Sequence, residues 1–156
     1  MKFNVVVVGK IKENYFKEAI AEYQKRLSRF VNLQITEVDE CAFNGIPNDS
    51  QIQKIINAEG KSILQKAEGC IVALDIQGKQ IDSVGLCDLV EKVSQVNSTI
   101  TFVIGGSYGL SEEVKERADY RISFGKITLP HQLCRVVLSE QLYRACTIKN
   151  NVPYHK

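Results

Sequence analysis

Thr99-Ile100-Thr101-Phe102-Val103-Ile104-Gly105-Gly106-Ser107-Tyr108-Gly109-Leu110 reads as an apolar strand that breaks into a glycine-rich loop. Tyr120 to Phe124 repeats the pattern, breaking into Gly125-Lys126-Ile127-Thr128-Leu129-Pro130-His131 before a long helical stretch. Two loops that each leave the end of a buried strand are how open α/β sheets build a ligand crevice. Glycine lets bare backbone come close to such a ligand.

The segments on either side alternate regularly. Lys2 to Val8 is a continuous apolar run, a buried strand ended by Gly9. Phe16, Ala19, Ile20, Tyr23, Leu27 and Phe30 then recur at the spacing of one helical face. Leu33 to Val38 alternates as a strand, and Asp39 to Asp49, with Asn44-Gly45 and Pro47, reads as a long loop. Ser50 is placed to cap a helix carrying Ile52, Ile55, Ile56 and Ile63. Gly69 to Ile76 is a further buried strand, Gln77-Gly78-Lys79 a turn, and Ser83 the expected cap of a helix with Leu86, Leu89, Val90 and Val93. Ser111, followed by Glu112 and Glu113, has the cap and first-turn acids of a short helix ending near Ala118. The final helix spans about Gln132 to Ile148. This alternation predicts one α/β domain over residues 1–156, a mostly parallel sheet with helices on both faces.

Composition narrows the class. A chain of 156 residues, 44% hydrophobic and 24% charged, matches one ordinary globular domain. No apolar run approaches the ~18 residues of a membrane span, and the apolar start is too short for a signal peptide, so a cytoplasmic protein is expected. Cys41, Cys70, Cys87, Cys134 and Cys146 form no C-x-x-C pair and read as reduced thiols. With His131 and His155 the only histidines, no zinc-ligand spacing exists and no metal is expected. A net charge of +2 is low for a stand-alone nucleic-acid binder. The local cluster Lys25, Arg26 and Arg29 reads first as a solvated helix end complementing the macrodipole.

Leu133, Cys134, Val136, Val137, Leu138, Leu142, Tyr143 and Ala145 spread apolar surface around most of the last helix. A helix apolar on nearly all sides is buried on nearly all sides, which in so small a domain points to a second subunit and a two-fold dimer. Two readings of its charges stand open. Glu140 and Arg144 form a surface pair four residues apart, or Arg135 and Arg144 face an active site.

Three chemistries compete for the glycine loop. Ser107 sits in a G-x-S-x-G context, and Ser107, Asp119 and His131 follow the serine, acid, histidine order of α/β-hydrolases. Against this, the helix begins at Ser111 and the short spacings leave little room for intervening strands. Neither a dinucleotide fingerprint nor a nucleoside-triphosphate loop is present. The third chemistry is a site for an adenosine-containing cofactor, with Leu74, Ile104, Ile127 and Leu129 as apolar walls and the backbone of the glycines and Thr128 reading polar edges. From the residues alone, tight turns after strands remain the lesser alternative description.

Several motifs together carry a resemblance: Leu74-Asp75-Ile76-Gln77-Gly78-Lys79, Phe102 to Leu110, Thr128-Leu129-Pro130-His131-Gln132-Leu133, Arg135-Val136, Glu140-Gln141-Leu142-Tyr143-Arg144-Ala145 and Pro153-Tyr154-His155-Lys156. The chain resembles, end to end, the RlmH family, the pseudouridine N3-methyltransferases of large-subunit ribosomal RNA within the SPOUT class; the likeness is least at Asp39 to Asp49. The resemblance implies a homodimer with a C-terminal trefoil knot, which no periodicity reveals. It implies S-adenosyl-L-methionine as cofactor, held by Leu74, Gly105, Phe124, Gly125, Lys126, Ile127, Thr128 and Leu129. It also implies methyl transfer to N3 of a pseudouridine in 23S rRNA within the ribosome. An imide nitrogen is a poor nucleophile until its proton leaves, and His155 is the candidate for assisting that step. Tyr154 is placed to stack on the base, while Arg135 and Arg144 steady charge on the ring or bind phosphate. His131 reads as a positioning or capping residue, and Lys10, Arg26 and Lys149 as further phosphate contacts. Modest charge fits a target presented by an assembled ribosomal particle. A serine hydrolase and a non-catalytic ribosome-binding factor are the alternatives.

Overall fold

The computed structural model describes all residues from Met1 to Lys156. Five strands and five helices alternate: β1 (Lys2–Val8), α1 (Asn14–Leu27), β2 (Asn32–Val38), α2 (Asp49–Lys66), β3 (Cys70–Gln80), α3 (Ser83–Ser94), β4 (Thr99–Ile104), α4 (Glu112–Arg117), β5 (Tyr120–Ser123) and α5 (His131–Lys149). The strands form one sheet in the order β2-β1-β4-β3-β5, and every pairing is parallel. None of the helices is long and apolar enough to cross a membrane.

Alternation along β1 sorts the core into two layers, because successive side chains point to opposite faces. Phe3, Val5 and Val7 join Leu27 of α1, Leu86, Val90 and Val93 of α3, and Leu138, Leu142 and Cys146 of α5. Val6 and Val8 join Ile63 of α2 and Val114 of α4. Both faces are covered, as an all-parallel sheet requires. On the larger layer the Phe3 and Phe102 rings meet edge to face at 5.8 Å.

Three local expectations are corrected. Asn48, not Ser50, caps α2: its side chain accepts from the Gln51 N–H at 2.9 Å, and the Gln51 side chain accepts from the Asn48 N–H at 2.9 Å. Those reciprocal bonds satisfy two otherwise orphaned donors, and with α2 starting at Asp49, Ser50 already lies inside its first turn. Asp82 caps α3 by accepting from the Gly85 N–H at 2.7 Å, leaving Ser83 to donate to Gln141 Oε1 at 2.6 Å. Gln77-Gly78-Lys79 is not a strand-ending turn. Leu74 pairs with Ile122, the chain loops out, and Lys79 pairs with Ile122 again, so β3 resumes beyond a wide bulge. Ser111 caps α4 as expected, accepting from the Val114 N–H at 3.2 Å.

The last helix packs against α1 and α3, and no residue from His131 to Ile148 is fully exposed. One chain therefore already shelters much of the surface that its composition presents as apolar.

The approach of α2 to α4 generates a prediction. A Cβ at Gly60, within α2, would lie 2.3 Å from Ser111 Oγ. Helix propensity alone makes Gly→Ala worth roughly +1 kcal/mol, but the clash strikes the cap of α4, and overpacking costs about 1–3 kcal/mol. Gly60→Ala is expected to lower the urea midpoint; a raised midpoint would show that the two helices separate freely.

Candidate active site

Leu74, Ile104 and Ile122 lie side by side at the carboxyl ends of three adjacent parallel strands, Leu74 pairing with both others. They form the floor of a crevice of about 710 Å³, within the range of small-molecule sites. The glycine loop after β4, the bulge of β3 and the run from Phe124 to Pro130 after β5 make its walls, and the first turn of α5 closes one end. Ile76, Tyr108 and Ile127 are half to four-fifths exposed on its rim.

Of the residues expected to hold a cofactor, Leu74, Gly105, Phe124, Gly125, Ile127, Thr128 and Leu129 line the crevice; Lys126 does not. The four apolar walls read from the sequence, Leu74, Ile104, Ile127 and Leu129, are all there. Asp75, Ile76 and Gln77 were read as strand and turn, and they line the site because β3 bulges. Burial pushes the Asp75 carboxyl up, but the Arg121 guanidinium, at 2.5 and 3.0 Å, and the Gln77 N–H, at 3.0 Å, hold it below the usual carboxylate range. Glu40 arrives from the long loop after β2, where no pattern marked it, and accepts from Ser107 Oγ at 3.3 Å.

Beneath the glycine loop lies a buried carboxylate. Glu59 of α2 is 3% exposed, its Oε2 accepts from the Cys41 N–H at 3.0 Å, and its Oε1 has no partner. Burial is the main cause that raises its carboxyl above the usual range. It ties the 39–49 loop to the floor under Gly106.

At the closed end, the His131 ring lines the crevice. Pro130 occupies the cap position of α5 and no side chain caps it, so His131 is not a cap; its Nδ1 is buried with no partner. Burial, then the neighbouring Arg135 guanidinium, lowers its pKa below the ordinary histidine value. Arg135 is 2% exposed; its Nη2 donates to the Gly9 carbonyl at 3.1 Å and its Nη1 lies 3.5 Å from Glu37 Oε1.

The remaining expected site residues gather elsewhere. Glu140 Oε1 accepts from Tyr154 OH at 3.0 Å and from Arg144 Nε at 3.0 Å, and Arg144 Nη1 lies 3.3 Å from His155 Nδ1. The Arg144 guanidinium stacks 4.6 Å from the Tyr154 ring, which meets Tyr143 at 4.8 Å. Arg144 thus pairs with Glu140 along the helix and also fastens the tail. At 1.5 Å rise per residue, this cluster lies roughly 14 to 20 Å along α5 from His131. None of its members lines the crevice.

The serine-hydrolase arrangement is not assembled. Ser107 bonds Glu40, and Asp119 precedes β5, at the opposite end of the sheet from His131, with its Oδ2 accepting from the Ile71 N–H at 2.8 Å. All five cysteines are free, and burial pushes the Cys70, Cys134 and Cys146 thiols up to about 11, which leaves them unreactive at neutral pH.

The family model described as "Predicted SPOUT methyltransferase" matches residues 1–155. The chain is 48% identical over its full length to all of the ribosomal RNA large subunit methyltransferase H of Streptococcus agalactiae serotype III, and 47% identical to 99% of that of Oenococcus oeni. In structure, it is similar to a probable methylase family protein from Haemophilus influenzae, with a TM-score of 0.53 at 16% identity, covering 99% of this chain and 70% of that one.

The position of Asp119 generates a prediction. Asp119→Ala leaves a buried strand N–H without its acceptor and should cost about 1–3 kcal/mol of stability in denaturant titration. A fluorophosphonate probe should leave Ser107 unlabelled in intact-mass spectra; labelling there would restore the hydrolase reading.

Proposed function

The chain belongs to the SPOUT methyltransferase family, and from that premise we propose that it transfers a methyl group from S-adenosyl-L-methionine to N3 of a pseudouridine in 23S ribosomal RNA, acting in the cytoplasm on assembled ribosomes as a homodimer with a knotted C-terminal segment. The observation that carries the cofactor assignment is the crevice itself, whose aliphatic floor and exposed loop backbone suit an adenosine. Glu40 brings a carboxylate to the wall beside a cationic ligand, while the Asp75 charge is paired with Arg121. The cofactor provides an electrophilic methyl on a sulfonium sulfur. The protein's own work is to orient both partners and to remove a proton from N3.

Leu74, Ile104 and Leu129 sandwich the adenine ring, while Gly105 and the run Phe124 to Leu129 present backbone donors and acceptors to its edge. Lys126, which stands outside the crevice, faces the incoming RNA. Tyr154, His155 and Arg144 hold the target nucleoside and its phosphate, but not in the crevice of their own chain, from which the tail cluster is held roughly 14 to 20 Å away along α5. A second copy brings its tail over the exposed rim of Ile76, Tyr108 and Ile127. The site is then built from two chains.

Calorimetry should show saturable S-adenosyl-L-methionine binding. Radiolabel should pass to ribosomes from cells lacking this protein, but not to ribosomes whose RNA has no pseudouridine; absence of both heat and label refutes the reading. A chain ending at Asn151 should bind the cofactor yet transfer nothing. Mixed with full-length Gly105→Val, itself inactive because the loop is blocked, it should regain part of the wild-type rate, since one site per mixed dimer is whole. No regain in the mixture would place the tail in its own chain's site.

A further inference from the structure

We infer that His131 takes the N3 proton of the target base, a role that rests on the methyltransferase reading. Three observations support this, and the first is location: the chain has two histidines, and His131 lines the crevice of its own chain, whereas His155 is fastened to Arg144 far down α5 and reaches a crevice only from a second copy. The second is an unused acceptor. His131 Nδ1 is buried without a partner, and so are Arg135 Nε and one oxygen of Glu13. Buried polar atoms left unpaired are rare and costly, and of these three residues only His131 lines the crevice, where a nucleobase edge carries an N–H between two carbonyls. The third is a dedicated notch. Gly9, at φ +95°, has the His131 ring where its side chain would be, with Cε1 2.7 Å and Nε2 2.9 Å from an added Cβ. No other residue at that turn leaves room for the imidazole.

The charges around the ring come from every neighbouring element. Arg135 lies one turn on in α5, Glu13 precedes α1, Glu37 is on β2, and Glu40 lies in the loop beyond. The acids draw a proton to the ring, but burial and then Arg135 prevail and keep it neutral. A neutral imidazole is the form that accepts a proton. N3 gives its proton to an imidazole nitrogen of His131, and its electron pair forms the new bond to the methyl carbon. The pair of the breaking carbon–sulfur bond stays on sulfur, and the imidazolium returns its proton to water. Arg135 is a positioning residue, fixing the ring's charge state and, through the Gly9 carbonyl at 3.1 Å, the shape of the notch.

Two measurements on the full-length protein decide this. With both imidazoles labelled with carbon-13 and assigned using His155→Gln, NMR gives each titration midpoint, and His131 should titrate below the ordinary value of about 6.5. Single-turnover methyl transfer to ribosomes from cells lacking the protein should rise with pH through that same midpoint and then level off, because the active form is the deprotonated ring. His131→Gln should keep the S-adenosyl-L-methionine affinity, lose roughly 10²–10⁴-fold in rate at pH 7, and climb about tenfold per pH unit with no plateau. Should that variant not fold, agreement between the wild-type kinetic and NMR midpoints still tests the assignment. A kinetic midpoint that follows His155, or neither histidine, overturns the inference while leaving the methyltransferase intact. So does a His131→Gln profile of wild-type shape. A wild-type protein that neither binds the cofactor nor labels ribosomes overturns both.

Discussion

The crevice depends on the register of three strands. Leu74 stands opposite both Ile104 and Ile122, so β4, β3 and β5 end together at one edge of the sheet. In parallel pairing all carboxyl ends share that edge, and the three loops leaving them converge without further design. A slip of one residue in β3 would turn Leu74 to the opposite face and carry the bulge with it. Register is protected by burial on both sides: Val72 and Ala73 are fully buried, and Phe102 and Val103 beside them are as well. The bulge is braced in turn by Asp75, which its ion pair with Arg121 of β5 keeps ionised and in place.

Polar groups under the site do a different job from the apolar floor. A buried charge is a poor source of stability, since desolvation offsets much of its attraction. Glu59 and Arg135 are nonetheless almost completely buried, and each reaches one connecting segment: Glu59 the Cys41 N–H, Arg135 the Gly9 carbonyl. Those segments follow the ends of β2 and β1, where hydrophobic packing fades and backbone groups would otherwise face several conformations. The two buried side chains select one. Arg135 does so from within α5, where Leu138 and Ser139 are buried as fully as it is and the Ser139 hydroxyl donates to its carbonyl.

How far this was legible in the sequence follows from which interactions are local. The order of elements was readable because the hydrophobic period switches cleanly between strand and helix, from the run at Val5–Val8 to the spaced face of Phe16, Ile20 and Tyr23. The wall residues Leu74, Ile104, Ile127 and Leu129 were readable because they sit at strand ends and in the loops that leave them. Caps were half readable. Ser111 announces itself with two acids behind it, while Asn48 hides after a proline and Asp82 stands beside a serine that bonds Gln141 instead. Nothing local marked Glu40, Glu59 or the Gly9–His131 notch, for each joins segments far apart in the chain. The motif resemblance singled out Tyr154 and His155, but only the helical rise of α5 shows that they stand far from the crevice.

That separation explains the tail itself. Chain ends fray unless something ties them down, and here Glu140 does so, accepting from Tyr154 and Arg144 while Arg144 reaches His155. The tie is made on the same helix whose first turn closes the crevice, so one rigid element fixes both the crevice end and the tail end at a set spacing. A single copy cannot fold that helix back on itself. Two copies related by a two-fold axis can exchange ends, and a two-fold contact makes both exchanges at once. In our reading, the length of α5 turns a small chain into half of a symmetric enzyme: the pocket is complete within one protomer, and the groups that hold the RNA come from the other.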